Sequence, residues 1–369
     1  MKYRHAELQY QKTLDDVGTW IQDLKTKDPI SAMRFNFSGT NGSISNKSNF
    51  INDLITKIEI VDGSDQLISL SLKEAQAIQR RLTSQMPHMR PAEAPNVTQE
   101  ESCLIQFGRW MWDKDYYLDL TKFKNPELKV SSNIAAVRAA GNTGFVSGSL
   151  KVTVDLHIIE EGAEPAKGFM MQKNIRSFTS ATSGDEPTSL PEDYPYVGML
   201  IRAYAEGNDV DENISKVKLD CDTGKFIYLE KYTRDLYRWE EEELGPSEMR
   251  YFLYRKDNET VYHPINHDPI VSVMGQAAND VINVNTCKSG SFILRFYTGN
   301  TGAPVTVEEL LPFMVRGSCL HSTVFIPFGL IDYPETYFDP TKYEDIKLIL
   351  TQAASSSVSI CLVQLRPYA

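Results

Sequence analysis

Within six consecutive positions, Asn208, Asp209, Asp211, Glu212 and Asn213 offer enough side-chain oxygen to wrap a hard cation. The plainer reading is a solvated acidic turn, against which Asp209, Asp211 and Glu212 stand as candidate Ca²⁺ ligands. A second cluster, Trp110, Trp112, Asp113, Asp115, Tyr116 and Tyr117, sets carboxylates beside aromatic rings, as a glycosidase or lectin would. The six histidines (His5, His88, His157, His263, His267, His321) contain no HxH pair of the kind a two-barrel metal enzyme needs. His263 and His267 stand four apart, yet Pro264 and Pro269 deny them a shared helix face. No GxSxG elbow, phosphate-binding loop or HExxH motif occurs, so no residue is assigned a catalytic role and no cofactor is expected.

The elements that would position these groups must come from 369 residues, about two domains on the usual size relation. With 41% apolar and 10% aromatic residues the chain can bury a sizeable core. Its net charge of −11 and lack of a basic tail disfavour nucleic-acid packaging by counterion release, and no sequence-specific nucleic-acid binding is expected. Five scattered cysteines (Cys103, Cys221, Cys287, Cys319, Cys361) form no CxxC pair and read as reduced, mostly buried thiols. The polar start lacks the apolar run of a signal peptide, and no stretch of about 18 apolar residues spans a bilayer, which predicts synthesis in a cytoplasm.

Leu14, Val17, Ile21 and Leu24 share one helical face, Thr13 and Asp16 are placed to cap it, and Pro29 follows, so the spacing predicts a helix over 13–24. Beyond it the period becomes two. Met33/Phe35/Phe37, Ile58/Ile60, Leu150/Val152/Val154/Leu156/Ile158, Val197/Met199/Ile201, Phe252/Tyr254, Phe292/Leu294/Phe296 and Val358/Ile360/Leu362 each alternate with polar residues, as strands with one buried face do. The polar segment 178–193 reads as a linker or exposed crossing, and 83–101 and 240–279 as long outer loops.

Two internal matches organise the rest. Ile55 to Leu70 aligns without gaps onto Ile214 to Leu229 at an offset of 159, with four identities and four conservative exchanges. In both copies two strands joined by a polar turn precede a helix, over Ser71 to Leu82 with a Ser71/Glu74 capping box and over Tyr232 to Trp239. Tyr117-Leu-Asp-Leu-Thr-Lys-Phe123 matches Tyr337-Phe-Asp-Pro-Thr-Lys-Tyr343 at an offset of 220, with four of seven positions identical. Each copy then runs through a strand and a Gly/Ser/Ala-rich turn into the last strand of its half. The chain is therefore all-β, two tandem jelly rolls of roughly eight strands each. The offsets differ by 220 − 159 = 61, so the second copy carries about sixty extra residues, assigned mostly to 240–279. The expected division is a helical arm over 1–30, a first roll over 31–177, a linker over 178–193 and a second roll over 194–369. The aromatic and carboxylate cluster near Trp110 has its counterpart at Asp332 to Tyr337, which favours a structural corner common to both halves over a single active site.

With its strand-turn-strand at 55–70, its crossing from Lys173-Asn-Ile-Arg-Ser-Phe178 into Tyr194-Pro-Tyr-Val-Gly-Met-Leu-Ile201, and its ending from Thr323 through Tyr337 to Leu348, the chain resembles the double jelly-roll major capsid proteins of the tectivirus/adenovirus lineage. It looks most like those of tailless icosahedral bacterial viruses, and the resemblance covers roughly residues 30 to 369. It implies two rolls standing side by side perpendicular to a shell, and homotrimers forming pseudo-hexagonal capsomers. The implied partners are other copies, neighbouring capsomers, minor capsid or vertex proteins, and an internal membrane near the N-terminal helix; the implied location is the virion after synthesis in the host cytoplasm. The rival readings are a two-domain carbohydrate-binding protein or glycosidase, which predicts a monomer with one concave site, and a minor capsid or spike protein.

Overall fold

The computed structural model describes residues 2–47, 49–134, 144–274, 281–288 and 290–368, except for the side chains of 268, 285–288 and 300. The Gly/Ser/Ala-rich turn of the first half falls partly on 135–143, and that part, like the Cys287 thiol and positions 275–279 of the expected outer loop, lies outside the described residues. The first half contains β1 (Lys2–Thr13), β2 (Val17–Asp23), β3 (Ile30–Thr40), β4 (Ile55–Asp62), β5 (Asp65–Leu70), β6 (Met89–Arg90), β7 (Thr98–Gln106), β8 (Pro126–Asn133) and β9 (Lys151–Glu161). Helices α1 (Ile51–Leu54) and α2 (Leu72–Thr83) lie between β3 and β4 and between β5 and β6. The second half begins with β10 (Gly168–Thr179), β11 (Gly184–Ser189), β12 (Tyr196–Tyr204), α3 (Val210–Asn213), β13 (Ile214–Cys221), β14 (Phe226–Tyr232) and α4 (Thr233–Leu244). Then come β15 (Ser247–Arg255), β16 (Glu259–Tyr262), β17 (Ile265–Val273), β18 (Val281–Lys288), β19 (Ser291–Thr298), β20 (Ala303–Pro304) and β21 (Glu309–Leu320). The chain closes with β22 (Thr323–Pro327), β23 (Ile346–Gln352) and β24 (Ser357–Pro367).

Pairing turns this order into the same object twice. In the first half β1-β9-β3-β7 and β2-β8-β4-β5 form two sheets over one core; in the second, β10-β24-β12-β22 and β11-β23-β13-β14 do the same. Both sequence offsets survive in the hydrogen bonding, for Ile60 pairs with Leu128 just as Leu219 pairs with Leu348. The expected helix after the fifth strand forms as α2, where the Ser71 hydroxyl accepts from the Glu74 amide at 3.3 Å and the Glu74 carboxylate accepts from the Ser71 amide at 2.8 Å. Its counterpart α4 buries Leu236 and Tyr237. The halves meet where β5 pairs in parallel with β10, through Ile68 with Gln172 and Ser69 with Lys173, so that one eight-stranded sheet runs across both.

Several sequence expectations are corrected. Residues 13–24 are not a helix: Val17–Asp23 is a strand paired along its length with Asn133–Glu127. Leu14 and Leu24 are buried at its two ends while Val17 and Ile21 point to solvent at 61% and 53% exposure, so the four apolar residues never shared a face. The β-branched Val17, Thr19 and Ile21 suit a strand, and sheet pairing overrides the helical spacing. The residues before it, read as part of a helical arm, form β1 against β9. Positions 184–189 of the expected linker are an edge strand on β23. Their polarity reflects a strand with mostly exposed side chains, and Pro187 is tolerated because it sits on an edge.

The extra residues of the second half lie between α4 and β22 and are folded. Glu240 to Glu243 end α4, and Ser247–Leu320 supplies a three-stranded sheet, β15-β21-β17, and a four-stranded one, β16-β19-β18 with β20. Met249, Tyr251 and Leu253 alternate into a separate core with Phe292, Phe296 and Phe313. The first half helps to close that core: Phe50 and Met89 pack into it, and Ala92 bridges to Phe252. Beneath them Glu93, fully buried, receives Arg255 Nε and Nη2, both at 2.7 Å. The expected outer loop 83–101 is thus the seat of the inserted unit.

Candidate functional site

The acidic turn folds as a capped single helical turn. Glu212 does not point at a cation position: its carboxylate accepts from the Asp209 amide at 3.1 Å, closing a capping box on α3. Asn213 donates to the Ala203 carbonyl at 3.0 Å and Asn208 to the Asn213 side chain at 3.0 Å, so both amides hold the turn. Asp209 and Asp211 do come together, and their third neighbour is His267 from β17, with ligand atoms all within 4.8 Å of one another. One imidazole and two carboxylates suit a transition metal better than calcium, which takes six to eight oxygens. The sequence did not join His267 to them because it arrives from the inserted unit, more than fifty residues further along the chain.

The aromatic and carboxylate corner is closed on itself. Arg109, unremarked in the sequence, lies between the Trp110 and Tyr116 rings at 4.2 and 4.7 Å. Its guanidinium donates to Asp113 at 2.7 and 3.0 Å and to Asp115 at 3.3 Å, and Asp113 is buried. With Lys167 on Asp115 as well, that carboxyl is held below its usual range, chiefly by the lysine's hydrogen bond. Asp115, held ionised in this way, is unsuited to serve as the protonated acid that glycoside cleavage requires. The counterpart corner adjoins it, since Arg109 Nη1 also donates to the Asp332 carbonyl at 3.3 Å.

Three of the six histidines are buried and held neutral. Burial pushes His263 down to about 3 and His157 to about 4, and lowers His321, whose Nε2 sits 2.7 Å from the Gln76 amide oxygen. Imidazoles that stay neutral across the physiological range are not poised as general acids. A cavity of about 260 Å³ between the halves and the inserted unit is lined by Asp53, Lys73, Arg202, Glu206 and His263. Its charges are used internally: Lys73 pairs with Asp53, and Arg202 donates to the His321 carbonyl at 3.1 Å.

What the chain leaves open is strand edge. β1 and β14 each end their sheet, neither has a buried residue, and between them they expose Tyr3, Tyr10, Phe226, Ile227, Tyr228 and Tyr232. Unguarded edges of this kind are surfaces for pairing with another chain. Among the described strands none covers the outer edge of 226–232, which the sequence could not show. No helix among the described residues is long and apolar enough to cross a membrane.

No protein-family model and no curated protein matches the sequence. Solved structures do match, over whole chains. The major capsid protein of Sulfolobus turreted icosahedral virus superposes with a TM-score of 0.62 at 12% identity, covering 100% of this chain and 98% of that one. The major capsid protein of bacteriophage PM2 gives 0.54 at 9%, covering 100% and 98%. The PBCV-1 virus capsid gives 0.51 at 9%, covering 100% and 95%. The chain therefore has the double jelly-roll fold, that of the capsid proteins it matches from end to end.

Proposed function

We propose that the chain is the major capsid protein of an icosahedral virus, assembling as homotrimers that form pseudo-hexagonal capsomers and tile the shell. One observation carries the reading: two complete rolls and their connections correspond over the full chain to proteins whose work is to build capsids. The site geometry supports it, because the aromatic and carboxylate corner that suggested catalysis is internally paired while β1 and β14 are exposed sheet edges. We take the first roll as 2–161 and the second as 168–367, with the inserted unit at 247–320 as its most elaborated surface. Neighbouring capsomers and minor capsid or vertex proteins are the partners, the virion is its place, and the host cytoplasm is where it is made.

Quantifying the proteins of purified particles tests this reading. The chain is expected as the most abundant protein of the shell; a few copies per particle would make it a minor or spike component and overturn the assignment.

A further inference from the structure

Resting on the reading that copies of this chain associate, the internal duplication specifies which edges meet. We propose that β14 of one copy pairs in parallel with β1 of the next, repeating between chains the junction that β5 and β10 make within one.

The equivalences are read from pairing. β14 corresponds to β5 at 161, two more than the sequence offset, since Ile60 pairs with Ile68 as Leu219 pairs with Leu229, and Val61 with Gln66 as Asp220 with Ile227. β1 corresponds to β10 at 166: both have twelve residues, and both run antiparallel to the last strand of their half. Lys2 pairs with Glu161 and Thr13 with Lys151, while Gly168 pairs with Pro367 and Thr179 with Ser357, so both ends of the ladder shift by 166 on one strand and 206 on the other. Inside the chain these two strand types join edge to edge, and the pairing buries them: Leu67, Ile68, Leu70, Phe169, Met170 and Met171 are all fully inaccessible. Their counterparts have no second neighbour among the described strands: Tyr228, in the place of Leu67, is 37% exposed, and Tyr3, in the place of Phe169, is 56% exposed.

Carrying Ile68 with Gln172 and Ser69 with Lys173 across the offsets sets Leu229 and Glu230 of one copy beside Ala6 and Glu7 of the next. The register holds to within one residue, since the irregularities of β1 and β10 fall at different points. Because β14 and β1 are different surfaces, the contact is head-to-tail and builds a ring, not a two-fold dimer. The ion pair that clamps the intrachain junction, Arg366 to Asp65 at 3.0 and 2.6 Å, has Glu160 and Phe226 in its place here. The contact between copies thus relies on aromatic area and backbone pairing, and tolerates salt.

The test is a full-length chain carrying Glu230→Cys with Glu7→Cys, both exposed, oxidised mildly and run without reductant beside the single variants. The double variant is expected to form covalent species of two and three chains that collapse on reduction, while each single variant stays at the mass of one. A pair shifted by one residue, Leu229→Cys with Ala6→Cys, covers the register, and slowed amide exchange at 2–13 and 226–232 in the unmodified oligomer is the second readout. A stable oligomer by light scattering, with no disulfide from either pair and fast exchange at both edges, overturns the proposal and leaves the capsid reading standing. A chain that stays monomeric at every concentration overturns both.

Discussion

Asp119 and Asp339, 220 residues apart, hold their following turns by the same two bonds. Each Oδ1 accepts from the backbone amide and the hydroxyl of the threonine two residues on, at 3.0 and 2.6 Å for Thr121 and at 3.1 and 2.7 Å for Thr341. The preceding tyrosines repeat as well: Tyr117 donates to the Glu164 carbonyl at 2.8 Å and Tyr337 to that of Ile331 at 2.7 Å. The repeated Tyr-x-Asp-x-Thr-Lys is a corner that turns the chain into the strand before last of each roll, and the identities persist because geometry needs them.

Replacing either aspartate removes a cap, so Asp119→Ala and Asp339→Ala should each cost about 1 kcal/mol in denaturant unfolding. The two share no partner, and the double variant should cost the sum. A double variant no less stable than either single one would show that the corners are not independent copies.

The Glu93 and Arg255 pair ties the first half to the inserted unit. Arg255→Met leaves a buried carboxylate alone and should destabilise by about 3–5 kcal/mol, with new protease cleavage within 247–320. Adding Glu93→Leu should recover part of that loss, since Arg255 also donates to the Lys47 and Thr260 carbonyls. Wild-type protease resistance in Arg255→Met would mean that the inserted unit is seated by its apolar core alone.

Burial pushes Glu101 up to about 7, against hydrogen bonds from Gln76 and Asn52 that favour its ionised form. The folded carboxyl thus holds its proton above the range of the unfolded one. Its contribution to stability is complete below about pH 4.5 and is lost as pH rises through 7, about 3 kcal/mol at 1.36 per pH unit. Unfolding measured from pH 5 to 8 should show this decline, and Glu101→Gln should make it shallower whatever its own stability, the remainder coming from Glu240, which burial also pushes up to about 7. An equally steep slope in that variant would assign the effect elsewhere.

Saturating calcium should leave the melting temperature unchanged, because Glu212 is spent on its cap and Asp209 and Asp211 meet an imidazole. Binding at even a hundred times the dissociation constant would add about 2.7 kcal/mol, an easily seen rise, and such a rise would contradict this geometry.

The architecture was readable wherever the two halves kept ungapped stretches, at 55–70 with 214–229 and at 117–123 with 337–343. The first two strands were not readable. β1 has no buried side, so nothing in it alternates, and the four apolar residues of 14–24 fall at helical spacing although two serve the core and two face outward. The inserted unit was half seen: the 252/254 alternation marks a real strand, but Met249, Tyr251 and Leu253 carry its buried face. Of the residues gathered at these sites, Asp209 and Asp211 were named from the sequence as one cluster, His267 only beside His263 and Arg109 not at all, because a partner's place in space leaves no mark on local spacing.

The central claim, that this chain is a shell-building subunit, is tested most directly by its mass in solution, measured by light scattering on a sizing column across salt and calcium. The monomer is 41.8 kDa, and the account predicts a stable species of three times that mass. A monodisperse monomer under all these conditions would contradict it.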